Sequence, residues 1–307
     1  MASRIEQLLE ALLNGNTAEI VPRSRKEKYL LALINGEPGV DNPKSRTEAF
    51  LYLLAQAGGS GGGGGGDAVT AGIIYDEVDA DGNPVKVTVR GESLPQRALY
   101  YQKKMTEVYL PNGLKAIGEM AFYYDESLTE LNIPDSVESL GASIAYSCKK
   151  IVSVHLPTGL TGAIPKESFY GCNDLTNINI PEGITEISQS AFKSCVKMIA
   201  TLPEGLRIIG NYAFDNCWAM MYGGIVIPAS VESIGGSAFN KNSSSSGDPR
   251  ITITFKGTPT SIASSALSIS TSNTNQLVIN VPWAEGEVAN APWGATKATI
   301  NYNYTGE

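Results

Sequence analysis

Basic side chains, histidine and long apolar runs are scarce in this 307-residue sequence, and each scarcity removes a class of function. Lys and Arg number 23 against 31 Asp and Glu, for a net charge of −8 and a pI near 4.9. Nucleic acids and anionic membranes are held by clustered surface cations, so neither is an expected partner. No apolar stretch approaches the ~20 residues of a membrane span. The opening Met1-Ala2-Ser3-Arg4-Ile5-Glu6 carries acid where a signal peptide would have a basic region leading into an apolar core. Membrane insertion and a secretion signal are therefore not expected, and synthesis in the cytoplasm is.

The chemistry-bearing residues are few and poorly placed for catalysis. His155 is the only histidine, and no G-x-S-x-G motif accompanies it to make it part of a nucleophilic triad. Cys148, Cys172, Cys195 and Cys217 are spaced by 24, 23 and 22 residues, which is not the C-x-x-C of a metal site. A reduced, buried column is the expectation, although cysteines of adjacent repeats could also come within disulfide reach. The acidic stretch Asp76 to Asp81 fails as a calcium loop, because a frame starting at Glu77 puts Thr88 where a bidentate glutamate is needed. A turn at Asp81-Gly82 fits it better. The glycine run lacks the Lys-Ser/Thr ending of a phosphate loop, and no paired-carboxylate cleft of a glycoside hydrolase can be located. No catalytic residue, cofactor or metal site is expected, and the chain reads as a non-enzyme.

What the sequence does hold is repetition of two kinds, separated by glycine. Residues 58–66, Gly58-Gly59-Ser60 and then Gly61 to Gly66, read as a flexible linker spanning roughly 17 Å. Before it, Ser3-Arg4-Ile5-Glu6, Ser24-Arg25-Lys26-Glu27 and Ser45-Arg46-Thr47-Glu48 recur every 21 residues. Each is a capping box, in which serine accepts from an amide three residues on and glutamate reaches back. Stop signals follow at Asn14-Gly15, Asn35-Gly36 and Gly58-Gly59, and Ile5, Leu8, Leu9, Leu12 and Leu13 fall at helical spacing. Residues 1–57 are thus expected to form a small all-α segment of three short helices. Helices this short are marginal alone, so they either make a self-contained unit or dock on a partner or a second copy. The segment resembles the SRIE-x-LL-x-x-LLNG N-terminal segments of tail-fibre-like proteins of phages and prophages of Gram-positive bacteria. That resemblance implies attachment to a virion tail.

After the linker, Leu110-Pro111, Ile133-Pro134, Leu156-Pro157, Ile180-Pro181, Leu202-Pro203 and Ile227-Pro228 recur at 23, 23, 24, 22 and 25 residues. A second signature follows about ten residues on, as in Ile117-Gly118-Glu119-Met120-Ala121-Phe122 and Ile187 to Phe192, with weaker copies at Leu140 to Ala145 and Ile164 to Phe169. The pattern resembles the BspA-type leucine-rich repeat over roughly residues 85–304. It implies an α+β repeat fold, a solenoid with one short β-strand per ~23-residue coil. Leu128, Leu131 and Ile133 would point inward from a strand, Val137 and Leu140 from the return segment, and the Ala-Phe pair would fill the opposite wall. Residues 67–90 read as an N-terminal hairpin and cap, 91–275 as the repeats, and 276–307 as a capping repeat closed by Trp293.

Such a solenoid presents outward strand residues in rows: Glu107 and Tyr109, Glu130 and Asn132, Ser153 and His155, Asn177 and Asn179, Ile199 and Thr201. All of these but Ile199 are the candidate ligand-binding residues, with His155 as a solvated member of its row. Their amide, hydroxyl and phenol groups suit hydrogen bonding to a glycan or a peptide backbone. The leading expectation is a non-enzymatic binding protein, tethered through residues 1–57 to a phage or prophage tail and recognising a protein or glycan on a cell surface. The alternative is a cell-surface adhesin of the BspA type that binds host proteins or glycans. The location would be the virion tail or the cell surface respectively.

Overall fold

The computed structural model describes residues 72–241, 249–269 and 277–306. The three expected helices and the glycine linker lie outside them. The described chain winds into coils whose segments align in three parallel rows along the solenoid. The first row holds the strands Pro84–Arg90, Glu107–Tyr109, Glu130–Asn132, Ser153–His155 and Asn177–Ile178, and then Ile225–Ile227, Ile251–Phe255, Leu277–Asn280 and Ala298–Asn301. Its parallel register joins equivalent repeat positions, such as Glu130 with Ser153 and Ser153 with Asn177. The second row contains Ser93–Leu94, Ala116–Ile117 and Ser139–Leu140 in one sheet, and five strands from Gly162–Ile164 to Ser261–Ile262 in another.

The third row is made of turns, which corrects the α+β expectation for these residues. Among them the only helix is the six-residue Trp218–Gly223. Amides that would close a helical turn are committed to the next coil: Leu99 N donates to Ala121 O (2.8 Å), Phe122 N to Ile144 O (2.8 Å) and Phe192 N to Ala213 O (2.9 Å). Two residues before each Phe position the chain turns left-handed, at Met120, Ser143, Glu167, Ser190, Tyr212 and Ser237, with φ between 52° and 58°. A left-handed non-glycine residue costs roughly 1 kcal/mol or more. The recurrence of that cost in every coil is offset by the inter-coil bonds it makes possible.

The core lies between the rows as expected. Leu128, Leu131 and Ile133 are fully buried and Val137 nearly so, whereas Leu140 is half-buried. Phe169, Phe192, Phe214 and Phe239 stack face to face with centroids 5.4–5.6 Å apart. In the coil below, Ala145 stands at the Phe position and Ile144 at the Ala position, and both are fully buried. The swap keeps the volume while interrupting the aromatic column.

Cys148, Cys172, Cys195 and Cys217 are free and buried. Each thiol donates to a carbonyl of the preceding coil, on Phe122, Ala145, Phe169 and Phe192, at 2.8–3.2 Å. Burial pushes all four upward, Cys172 to about 12. The thiolate is the reactive species. A thiol-disulfide reagent at neutral pH should therefore leave the native chain unmodified and label all four cysteines after denaturation. Rapid labelling of the native chain would contradict this packing.

Strand β1 (Gly72–Val78) pairs antiparallel with β2 (Pro84–Arg90) and covers the edge of the first row. In their turn, Asp79 accepts from the amides of Asp81 (3.0 Å) and Asn83 (2.8 Å) and from the Asn83 side chain (2.7 Å). At the other end Trp293 is fully buried, donates from Nε1 to Ala289 O at 2.8 Å and meets Phe255 and Trp283 in an aromatic cluster.

Candidate recognition surface

Alternation along a strand sends every second side chain outward, and in the first row those outward positions are unconstrained by the core. Glu107, Tyr109, Glu130, Asn132, His155, Asn177 and Asn179 are exposed, and Ser153 is half-buried. They gather into two hollows. One, of about 460 Å³, is lined by Asp76, Lys86 and Thr88 from the hairpin together with Glu107, Tyr109, Glu130 and Asn132. The other, of about 370 Å³, is lined by Asn132, Ser153, His155, Asn177, Asn179 and Ile199. Asn132 belongs to both, so the hollows adjoin.

The electrostatics differ between the two. In the first, Lys86 Nζ lies 3.3 Å from Glu107 and 3.5 Å from Glu77, and the Glu107 carboxylate, above all, holds the ammonium above its usual value. Thr88 Oγ1 donates to Asp76 at 2.7 Å. Beside the second, His155 Nε2 faces Asp135 at 3.7 Å. Asp135 already accepts from Thr158 N (2.7 Å) and Thr158 Oγ1 (3.0 Å), bonds that hold its carboxyl below the usual range.

Thr201 is the candidate that the structure sets apart: it is exposed but lines neither hollow. The segment Met198 to Pro203 is one residue shorter than Leu175 to Pro181, and the residue is lost ahead of the strand, so Ile199 and Thr201 still face outward. The row narrows there to a single bridge between Asn177 and Ile199 and resumes at Ile225–Ile227 after the short helix. Sequence reasoning also missed the hairpin's share of the first hollow, since Asp76, Lys86 and Thr88 lie outside the repeat register.

A second missed feature lies on the turn wall. Tyr100, Tyr123, Tyr146 and Tyr170 stack in a column with centroids 5.2, 4.7 and 4.5 Å apart. Burial in that column pushes Tyr146 up to about 12. The signal was present, because each is the residue after a Phe position. The parallel rings cover each other's faces, so the column knits coils together and presents mainly ring edges.

Among the described residues no group of three or more His, Cys, Asp or Glu side chains is arranged to hold a metal ion. Nor is any helix among them long and apolar enough to cross a membrane.

Parallel coils, an aromatic-filled turn wall and an open strand face define a leucine-rich-repeat solenoid. The sequence of residues 92–221 and 207–282 matches the BspA type leucine rich repeat region, in six copies. The chain belongs to that family. A leucine-rich repeat protein from Bacteroides ovatus shares the fold at a TM-score of 0.51 and 17% identity, over 71% of this chain and 61% of its own. A T. pallidum leucine-rich repeat protein is 19% identical over 47% of this chain and 86% of its own, at a TM-score of 0.40. A leucine-rich cell surface protein from Faecalibacterium prausnitzii is 18% identical over 67% of this chain and 68% of its own, at 0.41. No curated protein matches the sequence.

Proposed function

We propose that this protein is a non-enzymatic adhesion protein of the BspA type, which holds a macromolecular ligand, protein or glycan, on its strand face at a bacterial cell surface. One observation carries the reading: the two hollows that share Asn132 extend over neighbouring coils and, above the core residues Val87, Val154 and Ile178 at their floors, are lined by outward polar side chains. Packing dictates the inward residues of a solenoid. The outward ones here combine amides, hydroxyls, carboxylates and a phenol, a set able to match both donors and acceptors of a ligand. Catalysis has less support. His155 and Asp135 are both exposed, and neither sits in a water-excluding pocket where their charges would be strengthened.

Family membership favours the adhesin over a tail-associated receptor binder. The family match covers repeats, whereas the tail reading draws on residues 1–57, which lie outside the described residues. The test compares whole-cell and glycan-array binding by the full chain and by an Asn132→Ala/His155→Ala/Asn179→Ala variant. All three positions are solvent-facing, so the variant should fold normally by circular dichroism. Binding should fall by about tenfold or more, as for truncation of central interface side chains. Unchanged binding would place the site on another face.

A further inference from the structure

Tyr109 and Ile199 are the two most exposed large apolar side chains among the described residues, at 61% and 63%. Each lines one of the two hollows. They stand on the first and the last of five successive coils, roughly 19 Å apart along the stacking direction at ~4.8 Å per coil. Between them the face is polar and close to neutral: Asn132, Ser153, His155, Asn177 and Asn179. The Tyr109 end is different. Asp76, Glu107 and Glu130 line that hollow against a single cation, Lys86, which Glu77 and Glu107 already share. Glu130 has no ion-pair partner among the described residues.

We infer that this face captures an extended polypeptide segment of a partner protein, one that places a Lys or Arg at the Tyr109 end and an apolar side chain on Ile199. The inference rests on the strand-face reading above and narrows its ligand to protein. A cation seated between Glu107 and Glu130 would meet the Tyr109 ring, gaining ion-pair and cation–π attraction together. Each asparagine amide offers one acceptor and two donors, which matches the alternating C=O and N–H of a peptide backbone. At ~3.3 Å per residue, about six extended residues span the distance between the anchors. A neutral sugar can donate hydroxyls to these carboxylates but gains no ion pair from their excess, and the aliphatic Ile199 gives it no ring to stack on.

The test uses the full chain as bait for a random linear-peptide display library, with a glycan array in parallel. Selected peptides should share a Lys or Arg separated by about five residues from an apolar side chain, the spacing set by the strand rise. A synthetic peptide of the enriched sequence should bind about tenfold or more weakly to Glu107→Lys/Glu130→Lys, and separately to Ile199→Ser, as hot-spot truncations do. It should also weaken with added salt, since the ion pairs are exposed. Glu138→Lys, which removes an exposed carboxylate outside both hollows, should leave binding unchanged. Failure to enrich peptides, or enrichment without basic residues, would overturn the inference. Glycan binding that the face variants abolish would also overturn it while leaving the strand-face reading intact. Binding that survives every face variant would remove both.

Discussion

Phe192→Ala should destabilise the solenoid by roughly 3–5 kcal/mol, the usual cost of emptying a buried aromatic site. Phe192 is fully buried and lies between Phe169 and Phe214 at centroid distances of 5.5 and 5.6 Å. Truncation would therefore open a cavity at two coil interfaces at once. Each coil of a solenoid contacts only its neighbours, so a mid-array defect weakens the coupling between the blocks on either side. Denaturant unfolding should show a lower midpoint and a transition that broadens or splits. Phe192→Leu keeps most of the volume and should cost less than about 1.5 kcal/mol. The swapped coil supplies a sharper control, because Ile144 and Ala145 fill there the space that Ala121 and Phe122 fill below. Ala191→Ile/Phe192→Ala should thus recover roughly half of the loss, as volume-conserving swaps do. A double variant no more stable than Phe192→Ala would show that ring stacking, and not volume, is what this column requires.

The features visible in the sequence were those the core repeats. Period, inward apolar positions, the Phe wall, the cysteine column and the terminal tryptophan all follow from one requirement, that coil stacks on coil. What escaped reading falls into two kinds. The turn wall was hidden because one of the two left-handed positions in each coil is held by Met120, Ser143, Glu167, Ser190, Tyr212 and Ser237, and the other by Tyr124, Ser147, Gly171, Ser194 and Asn216, sets that share no composition and hold a single glycine. Their conformation comes from hydrogen bonds to the next coil and so carries no local signature. The break in the strand row was hidden for the opposite reason. A single missing residue between Met198 and Pro203 barely alters a 22-residue interval, yet it reduces the strand pairing there to one bridge and leaves Thr201, though exposed, outside both hollows. The outward position of the candidates from Glu107 to Asn179 was legible in the strand pattern, Ser153 being half-buried. The hairpin's contribution was not, since Lys86 reaches the hollow by register with Glu107 and that pairing crosses from cap to repeat.

Glycine in the Ile-Gly signature gives the other large effect. It occurs at Gly118, Gly141, Gly210 and Gly235, but the equivalent places hold Pro165 and Ser188 in two coils, so repetition alone does not say which glycines are required. Geometry does at Gly141, where a Cβ would stand 2.3 Å from Glu119 N, 2.6 Å from Gly118 C and 2.7 Å from Glu119 Cα. All three are backbone atoms, and no side-chain rotation can relieve the clash. Gly141→Ala would have to push adjacent coils apart, lengthening the bonds from Gly141 N to Ile117 O (2.8 Å) and from Met120 N to Ala142 O (2.9 Å) and disturbing the pairing of Ala116 with Ser139 and of Ile117 with Leu140. The cost should reach or exceed the ~3 kcal/mol upper end of ordinary overpacking, because the obstacle is main chain. Gly113→Ala, where a Cβ meets nothing within 4 Å, should change stability by less than about 0.5 kcal/mol. Chemical denaturation of the two variants beside the parent measures the contrast. Equal stabilities would mean that the coils can separate at Gly141 without loss, and that close approach there is not what holds the N-terminal coils in register.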